Sequence, residues 1–216
     1  MRTRPLSAIV ALLAVTLTPA SPAAAQDGAR DGQGGLPPAG YGSLSQSDLA
    51  LRLRNDEIEI RFVPLDQRVT RLLARDAYES LNSLVLSRRR QIDSVASTAG
   101  ISRPGLALVT FFGLREAARY DPQTLTLVVR NRVFRPLGIV PFTPRFTSQQ
   151  LEVRQQVSAV YLFEEEIPVT DGFSLAYNEL TSEDWSRRRT TLDRERSRAA
   201  ARARVQQPDS AGRVAR

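Results

Sequence analysis

The alternation of apolar and polar residues predicts a strand pair near the start of the organised chain. Apolar residues occupy every second position in 49–53 and again in 58–62, on either side of Asn55 and Asp56. This period of two predicts a β-hairpin with one apolar face and one charged face. If Asn55 and Asp56 are the two turn residues, five facing pairs follow. They are Leu53 with Ile58, Leu51 with Ile60, Leu49 with Phe62, Arg54 with Glu57, and Arg52 with Glu59.

Helical spacing replaces this alternation between residues 66 and 99. Asp66 is placed to cap a short helix, and a longer apolar stripe then recurs until Gly100. The run from Arg88 to Arg90 interrupts the stripe. Because consecutive residues point in different directions around a helix, at least one of these arginines must face the core side. We therefore predict a helical insertion at 66–99, directly after the first hairpin.

Three later segments predict further strands. Residues 106–114 are apolar at both alternating sets, as in a central strand covered on both faces. A strand beginning at Leu125 turns at Arg130 and Asn131. The alternation in 151–163 resumes in 173–177, which predicts a second hairpin. The fold class is therefore α+β: a mostly antiparallel β-sandwich at 49–182 that contains the insertion and precedes a carboxy-terminal arginine-rich helix.

The last predicted hairpin carries a resemblance to a known family. Its sequence, LEVRQQVSAVYLFEEEIPVTDGFSLAYNEL at 151–180, resembles the closing hairpin of exported bacterial immunoglobulin-like domains. The resemblance covers only this segment, rests on strand alternation, and lacks the Cys and Trp of antibody domains. It implies an immunoglobulin-like sandwich that serves as a secreted binding or structural module.

The amino terminus predicts export. Residues 1–25 combine Arg2 and Arg4, an apolar run at 6–17 and three alanines ending at Ala25, as in a Sec-type signal peptide cut after that alanine. Twelve apolar residues make about 18 Å of helix, too short for a hydrocarbon core of about 30 Å. We expect a periplasmic or secreted protein without a transmembrane segment after cleavage. The glycine- and proline-rich residues 26–48 predict a flexible linker.

Charge is concentrated at the carboxy terminus. All 30 basic residues are arginine, the formal charge is +7, and residues 187–216 hold ten arginines and three acidic residues. Residues 26–186 instead hold eighteen arginines and twenty acidic residues. Residues 183–216 therefore predict an arginine-rich helix, anchored at its start by Trp185, and a disordered tail. The candidate anion-binding residues there are Arg187, Arg188, Arg189, Arg194, Arg198 and Arg202.

Two interpretations of this helix remain open. An anionic envelope component is a suitable partner, because arginine stays charged at any relevant pH, whereas export argues against nucleic acid. Alternatively, the helix is a solvated and partly frayed extension, because beyond Arg187 its apolar content is Leu192 and alanines.

A proline-rich segment is a second candidate for binding, in this case of a protein partner. Its candidate residues are Arg135, Pro136, Leu137, Phe142, Arg145 and Phe146. The competing interpretation is an irregular edge strand that places its apolar residues in the core.

The composition excludes several kinds of catalytic mechanism. The chain has no lysine, histidine or cysteine, which excludes histidine triads, thiol nucleophiles and lysine Schiff bases. Glu164 to Glu166 form the one acidic triple, and a carboxylate-based extracellular hydrolase acting on a glycan or other polymer is the alternative function. A solvated turn is the favoured interpretation of that triple. We predict no catalytic, metal or cofactor residues, and a non-enzymatic binding or structural role.

Overall fold

Two antiparallel sheets organise residues 35–206, the part of the chain that the computed structural model describes. The predicted leader at 1–25, the first part of the predicted linker at 26–34 and the chain end at 207–216 lie outside the described residues. The α-helices are α1 (Gln46–Leu49), α2 (Gln67–Thr70), α3 (Arg75–Ser87), α4 (Arg89–Thr98) and α5 (Asp184–Gln206). The strands are β1 (Leu51–Arg54), β2 (Ile58–Pro64), β3 (Gly105–Gly113), β4 (Ala118–Arg119), β5 (Leu125–Val129), β6 (Arg132–Phe134), β7 (Gly138–Pro141), β8 (Gln150–Leu151), β9 (Gln156–Phe163), β10 (Ser174–Tyr177) and β11 (Leu180–Ser182). The described chain is thus a mixed α+β fold with mostly antiparallel sheets.

The strand order places β3 at the centre of the larger sheet. This sheet has five strands in the order β1-β2-β3-β9-β7, and the smaller sheet has four in the order β11-β10-β5-β6. β4 and β8 form a separate two-stranded ladder. Strand β3 pairs with β2 on one side and β9 on the other, and its residues are buried or half-buried throughout. The predicted central strand at 106–114 is confirmed.

Aromatic side chains connect the two larger sheets. The ring centroid of Phe62 in β2 lies 5.9 Å from that of Phe173, which precedes β10. The centroid of Phe111 in β3 lies 6.1 Å from that of Tyr177 in β10. These edge-on pairs are favourable beyond the apolar area that they bury. The main core therefore lies between the sheets.

Helix α4 covers the other face of the larger sheet. Ile92 and Ala96 of α4 share a second apolar cluster with Val160 and Leu162 of β9. The helix comes so close to β7 that a side chain at Gly138 would collide with Val95. Strand β9 is consequently covered on both faces, which explains why it is apolar at nearly every position.

Arg88 divides the long helix that the sequence predicts. Helix α3 ends at Ser87 and α4 begins at Arg89, with Arg88 at φ −112° and ψ 5° between them. Its guanidinium lies 5.5 Å from the ring centroid of Phe142 and donates a hydrogen bond of 2.9 Å to the carbonyl oxygen of Phe142. Of the three consecutive arginines, Arg88 is therefore the one turned towards the protein.

The first hairpin forms with a register different from the prediction. Leu53 faces Ile60 and Arg54 faces Glu59, so the true partners lie two residues further along β2. The shift by an even number keeps the same residues on the buried face. Its cause is Asn55, whose side-chain oxygen accepts hydrogen bonds from the backbone N–H groups of Glu57 and Ile58 at 2.9 and 2.8 Å. These bonds stabilise a three-residue loop at 55–57, whereas the predicted two-residue turn would lack its usual glycine.

Replacement of Asn55 by alanine should destabilise the protein by about 1 kcal/mol, because two backbone donors lose their acceptor. The measurement is urea denaturation at equilibrium. The matched control is Asp56→Ala in the same loop, since the Asp56 side chain makes no hydrogen bond with any described residue. Equal stability of the two variants would contradict this account of the loop.

The predicted second hairpin is wrong. Strand β9 lies between β3 and β7 in the larger sheet, whereas β10 pairs with β5 and β11 in the smaller sheet. The chain crosses from one sheet to the other between Phe163 and Ser174. Both strands alternate because each presents a buried face to the core, and that pattern carries no information about which strand is the hydrogen-bonded neighbour.

Strands β5 and β6 form the hairpin that the sequence places at Arg130 and Asn131. Both turn residues have positive φ, 47° and 65°. Val129 faces Arg132 across this two-residue loop. Such a left-handed pair matches the natural twist of the two strands.

Candidate binding surface on the carboxy-terminal helix

Trp185 fixes the start of α5 to the core, as the sequence predicts. Its side chain is fully buried, and its ring stacks on Phe173 with centroids 5.0 Å apart. The indole Nε1–H donates a hydrogen bond of 3.0 Å to the carbonyl oxygen of Val169. The apolar surface of the indole is thus buried, and its N–H group has a hydrogen-bond acceptor.

The rest of α5 is also packed against the domain, which corrects the expectation of a weakly anchored extension. Leu192, Ala199 and Ala203 are buried along one side of the helix. Alanine side chains carry little apolar area, so the sequence predicts an apolar stripe too narrow for docking. The helix nevertheless buries this side, because Leu192 joins the main core and both alanines are at most 5% exposed. The helix spans 23 residues.

The buried side of α5 carries one carboxylate, that of Glu195, which is 4% exposed. The backbone N–H and the hydroxyl of Ser43 each donate a hydrogen bond of 2.9 Å to its Oε1. Arg202, two helical turns further along, donates to the same oxygen. Three donors thus converge on one oxygen of a carboxylate removed from water, an arrangement that offsets the cost of burying the charge.

Glu195 and two arginines hold residues 41–48, here called the strap, against α5. Arg202 Nε donates to the carbonyl oxygen of Tyr41 at 2.8 Å. Arg188 Nη1 donates to the carbonyl oxygens of Ser47 and Asp48 at 3.2 and 2.5 Å. The flexible linker predicted at 26–48 therefore does not extend through the strap.

The strap also contacts the insertion. Leu44 forms two backbone hydrogen bonds with the segment that follows α2. Its N–H donates to the carbonyl oxygen of Leu72 at 3.1 Å, and its carbonyl oxygen accepts from the N–H of Ala74 at 2.8 Å. Gly42 allows this approach, since any side chain there would collide with the Leu72 carbonyl group. The strap therefore lies between α5 and the insertion and contacts both.

Two of the six candidate anion-binding arginines are engaged by these contacts. Arg188 and Arg202 are half-buried and bind the strap, and burial lowers the pKa of Arg188 from its ordinary value. Arg189 is exposed and donates to the carbonyl oxygen of Asp171 at 3.2 Å. All three arginines thus connect α5 to backbone carbonyl groups of other chain segments.

The other three candidate arginines form an exposed row, here called the outer stripe: Arg187, Arg194 and Arg198. At about 100° per residue, these positions fall within a sector of about 40° that is turned away from the buried side. They extend over about 16 Å of helix at 1.5 Å per residue. Arg187 pairs with Asp184 at 3.3 Å, while Arg194 and Arg198 make no ion pair with any residue in 35–206. The outer stripe is a positively charged surface on a helix that is packed against the domain.

The proline-rich candidate segment forms the edge of the larger sheet. Pro136 and Phe146 are buried, and the Phe146 ring packs against Phe111 with centroids 6.1 Å apart. Phe142 is half-buried beneath the Arg88 guanidinium. Exposed members are Arg135, Arg145 and Leu137, the last at 46%. Most of the apolar side chains of this segment therefore contribute to the core, and partner binding at this edge stays a prediction.

The acidic triple follows the end of β9, and two of its members face arginines. Glu165 lies 3.5 Å from Arg132, and Glu166 lies 3.5 Å from Arg68. Neither pair is buried, so each contributes little to stability. The arrangement gives both carboxylates positively charged neighbours at the protein surface.

Buried tyrosine hydroxyls are committed to the backbone. Tyr120 donates to the carbonyl oxygen of Phe146 at 2.7 Å, and Tyr161 donates to that of Pro122 at 2.9 Å. Burial raises the pKa of Tyr120 to about 12 and raises that of Tyr161 further. Both hydroxyls are protonated at neutral pH and act as structural donors.

Metal-binding clusters and membrane-spanning helices are both absent from residues 35–206. Within residues 35–206, acidic side chains nowhere gather in a group of three or more that could hold a metal ion. No helix in that range combines the length and the apolar character needed to cross a bilayer.

Sequence reasoning missed Ser43 and Glu195, which join the strap to α5. The available signal was a single acid, Glu195, flanked by arginines on a helix with few other acids. The structure defines a mixed α+β protein in which antiparallel sheets carry a docked, arginine-rich helix. Comparison of this chain with known protein families, with curated proteins and with solved structures found no match.

Proposed function

We propose that this chain is an exported bacterial protein whose function is to bind an anionic component of the cell envelope. In this proposal residues 1–25 are a Sec-type signal peptide cut after Ala25, and the mature protein works in the periplasm or outside the cell. Its role is binding or structural rather than catalytic. The observation that carries the proposal is the outer stripe, which presents Arg187, Arg194 and Arg198 on one exposed side of α5.

The rigid attachment of α5 supports binding through the outer stripe. A flexible arginine tail loses conformational entropy when it binds a surface, whereas a docked helix has already lost most of that entropy on folding. Guanidinium groups donate paired hydrogen bonds to phosphate and carboxylate groups, and their charge is independent of pH. These properties suit phosphate or carboxylate groups spread over an extended surface.

We also propose that the two larger sheets form a β-sandwich. Support comes from the aromatic pairs that link their facing sides. The immunoglobulin-like form of such a sandwich is a finer proposal that rests on strand alternation. The strands β9 and β10 that carry the resemblance lie in different sheets, so the family's closing hairpin is not part of its support.

The proposal predicts that the mature protein binds vesicles of phosphatidylglycerol and phosphatidylethanolamine, with an affinity that falls as salt increases. Substitution of Arg187, Arg194 and Arg198 by glutamine should weaken this binding about 100-fold or more, because each arginine near an anionic surface contributes about 1 kcal/mol. Co-sedimentation with vesicles at low and high salt measures the effect.

A matched control removes the same charge elsewhere. Arg90, Arg103 and Arg119 are exposed and lie outside α5. Their joint substitution by glutamine should reduce binding far less. Equal partition of the two triple variants would show that net charge alone drives binding and would overturn the role of the outer stripe. Absence of any salt-dependent binding to the vesicles and to isolated envelopes would overturn the proposed function.

A further inference from the structure

A pocket opens between the β5–β6 turn and the loop that follows β9. Its volume is about 210 Å³. Its floor is apolar and consists of three buried side chains, those of Leu127, Phe163 and Ile167. A cavity of about 150 Å³ already accepts a benzene ring. This pocket is therefore large enough for one branched aliphatic or aromatic side chain.

The rim of the pocket carries charges of both signs. Arg130 on the β5–β6 turn pairs with Asp171 on the opposite loop at 2.8 Å. Arg132 at the start of β6 pairs with Glu165 on that loop at 3.5 Å. All four side chains are more than half exposed, so these pairs are weak and can exchange partners with a solute.

The Arg132 guanidinium lies against an aromatic ring of the pocket lining. Its guanidinium carbon lies 4.8 Å from the ring centroid of Phe134, which also lines the pocket. An aromatic ring against a guanidinium restricts its motion and leaves N–H groups at its edge that can bind both oxygens of a carboxylate.

Charge complementarity favours a ligand that carries both signs, because the rim holds an arginine beside an acidic residue. A simple anion that paired with Arg132 would leave Glu165 without a positive partner, and a simple cation would leave Arg132 without a negative one. A zwitterion inserted between the two members of a rim pair keeps every charge paired: its carboxylate binds the arginine and its ammonium group binds the acid. An apolar group on the same molecule can then fill the floor.

We propose that this pocket binds a free α-amino acid with an apolar side chain of the size of leucine or phenylalanine. The side chain lies against the floor, the α-carboxylate binds Arg132 and the α-ammonium binds Glu165. This site is separate from the outer stripe, and its occupation is independent of envelope binding.

Isothermal titration calorimetry of the mature protein tests the ligand class. Leucine or phenylalanine should bind saturably with a dissociation constant of about 1 mM or tighter. Three leucine analogues each lack one recognised group: 4-methylpentanoate lacks the ammonium, 3-methylbutylamine lacks the carboxylate, and glycine lacks the side chain. Each should bind at least about tenfold more weakly than leucine, the effect expected for loss of one charged or apolar contact.

Two substitutions locate the binding. Arg132→Gln should weaken leucine binding about tenfold or more, since a charged hydrogen-bonding partner of the carboxylate is lost. Arg135→Gln is the matched control, because Arg135 is exposed, close in sequence and not part of the pocket lining. Thermal melting of both variants verifies that they fold. Failure of both leucine and phenylalanine to bind, an analogue that equals leucine, or equal effects of the two substitutions would overturn the proposal without affecting the vesicle result.

Discussion

Trp185→Ala should destabilise the protein by about 4 kcal/mol. The substitution removes a fully buried indole, its stack on Phe173 and its hydrogen bond to Val169. Loss of a large buried aromatic side chain typically costs about 3 to 5 kcal/mol, because a cavity remains. Domains are stable by only about 5 to 15 kcal/mol, so this loss is a large part of the total. Urea denaturation followed by far-ultraviolet circular dichroism measures it, since the variant has no tryptophan to report by fluorescence.

Two variants control this experiment. Trp185→Phe keeps a ring against Phe173 but loses the hydrogen bond, so it should cost about 1 to 2 kcal/mol. Ser186→Ala changes the exposed next residue of the helix and should change stability by about 0.5 kcal/mol or less. If Trp185→Ala also cost less than about 1 kcal/mol, the helix would not depend on this anchor.

Glu195→Gln should destabilise the protein by about 2 to 3 kcal/mol. Glutamine has nearly the same shape, but it removes the negative charge that Arg202 and the two donors of Ser43 share. A hydrogen bond to a charged group contributes about 1.5 to 3 kcal/mol, and Arg202 would remain close to an uncharged partner. Because the strap depends on this carboxylate, hydrogen exchange at the backbone amides of residues 43–48 should accelerate more than exchange in β3.

Asp193→Asn is the matched control on the same helix. Asp193 is exposed and pairs with Arg196 at 2.5 Å, and surface pairs of this kind contribute about 0 to 1 kcal/mol. Its effect should therefore be small and should leave exchange in the strap unchanged. Equal effects of the two substitutions would mean that α5 responds only to its total charge and not to the Glu195 contacts.

The strap contacts change the interpretation of the arginine-rich helix. Arg188 and Arg202 bind carbonyl groups of the strap, so they contribute to the fold rather than to the recognition of anions. The basic surface of α5 is accordingly smaller than the sequence suggests, and its main element is the outer stripe. The same contacts connect residues that are up to 161 positions apart in the chain. The amino-terminal and carboxy-terminal parts of the described chain therefore stabilise each other.

Elements with a complete local pattern could be predicted from the sequence. Residues 106–114 are apolar on both alternating sets, and β3 is central with neighbours on both sides. Arg130 and Asn131 separate two short alternating runs, and they form the turn between β5 and β6. In each case the residues that cause the structure lie within about ten positions of one another, which is the range that a periodicity can capture.

The candidate site was predicted only in part, because its key contacts join distant segments. The arginines of α5 are identical in type, and nothing in their order separates Arg202, which binds Tyr41, from Arg198, which faces solvent. The pocket is a similar case, because Arg132 in β6 and Glu165 in the loop after β9 are 33 positions apart in the sequence.

The sequence by itself determined which faces of the strands and helices are apolar, the turn between β5 and β6, and that its excess positive charge lies in the last thirty residues. Those properties follow from side-chain chemistry and local spacing. Only the tertiary structure decided the register of the first hairpin, the separation of β9 and β10 into two sheets, and the docking of α5 on the strap. These depend on which surfaces meet, and that choice is made by the free energy of packing and of long-range hydrogen bonds summed over the whole domain.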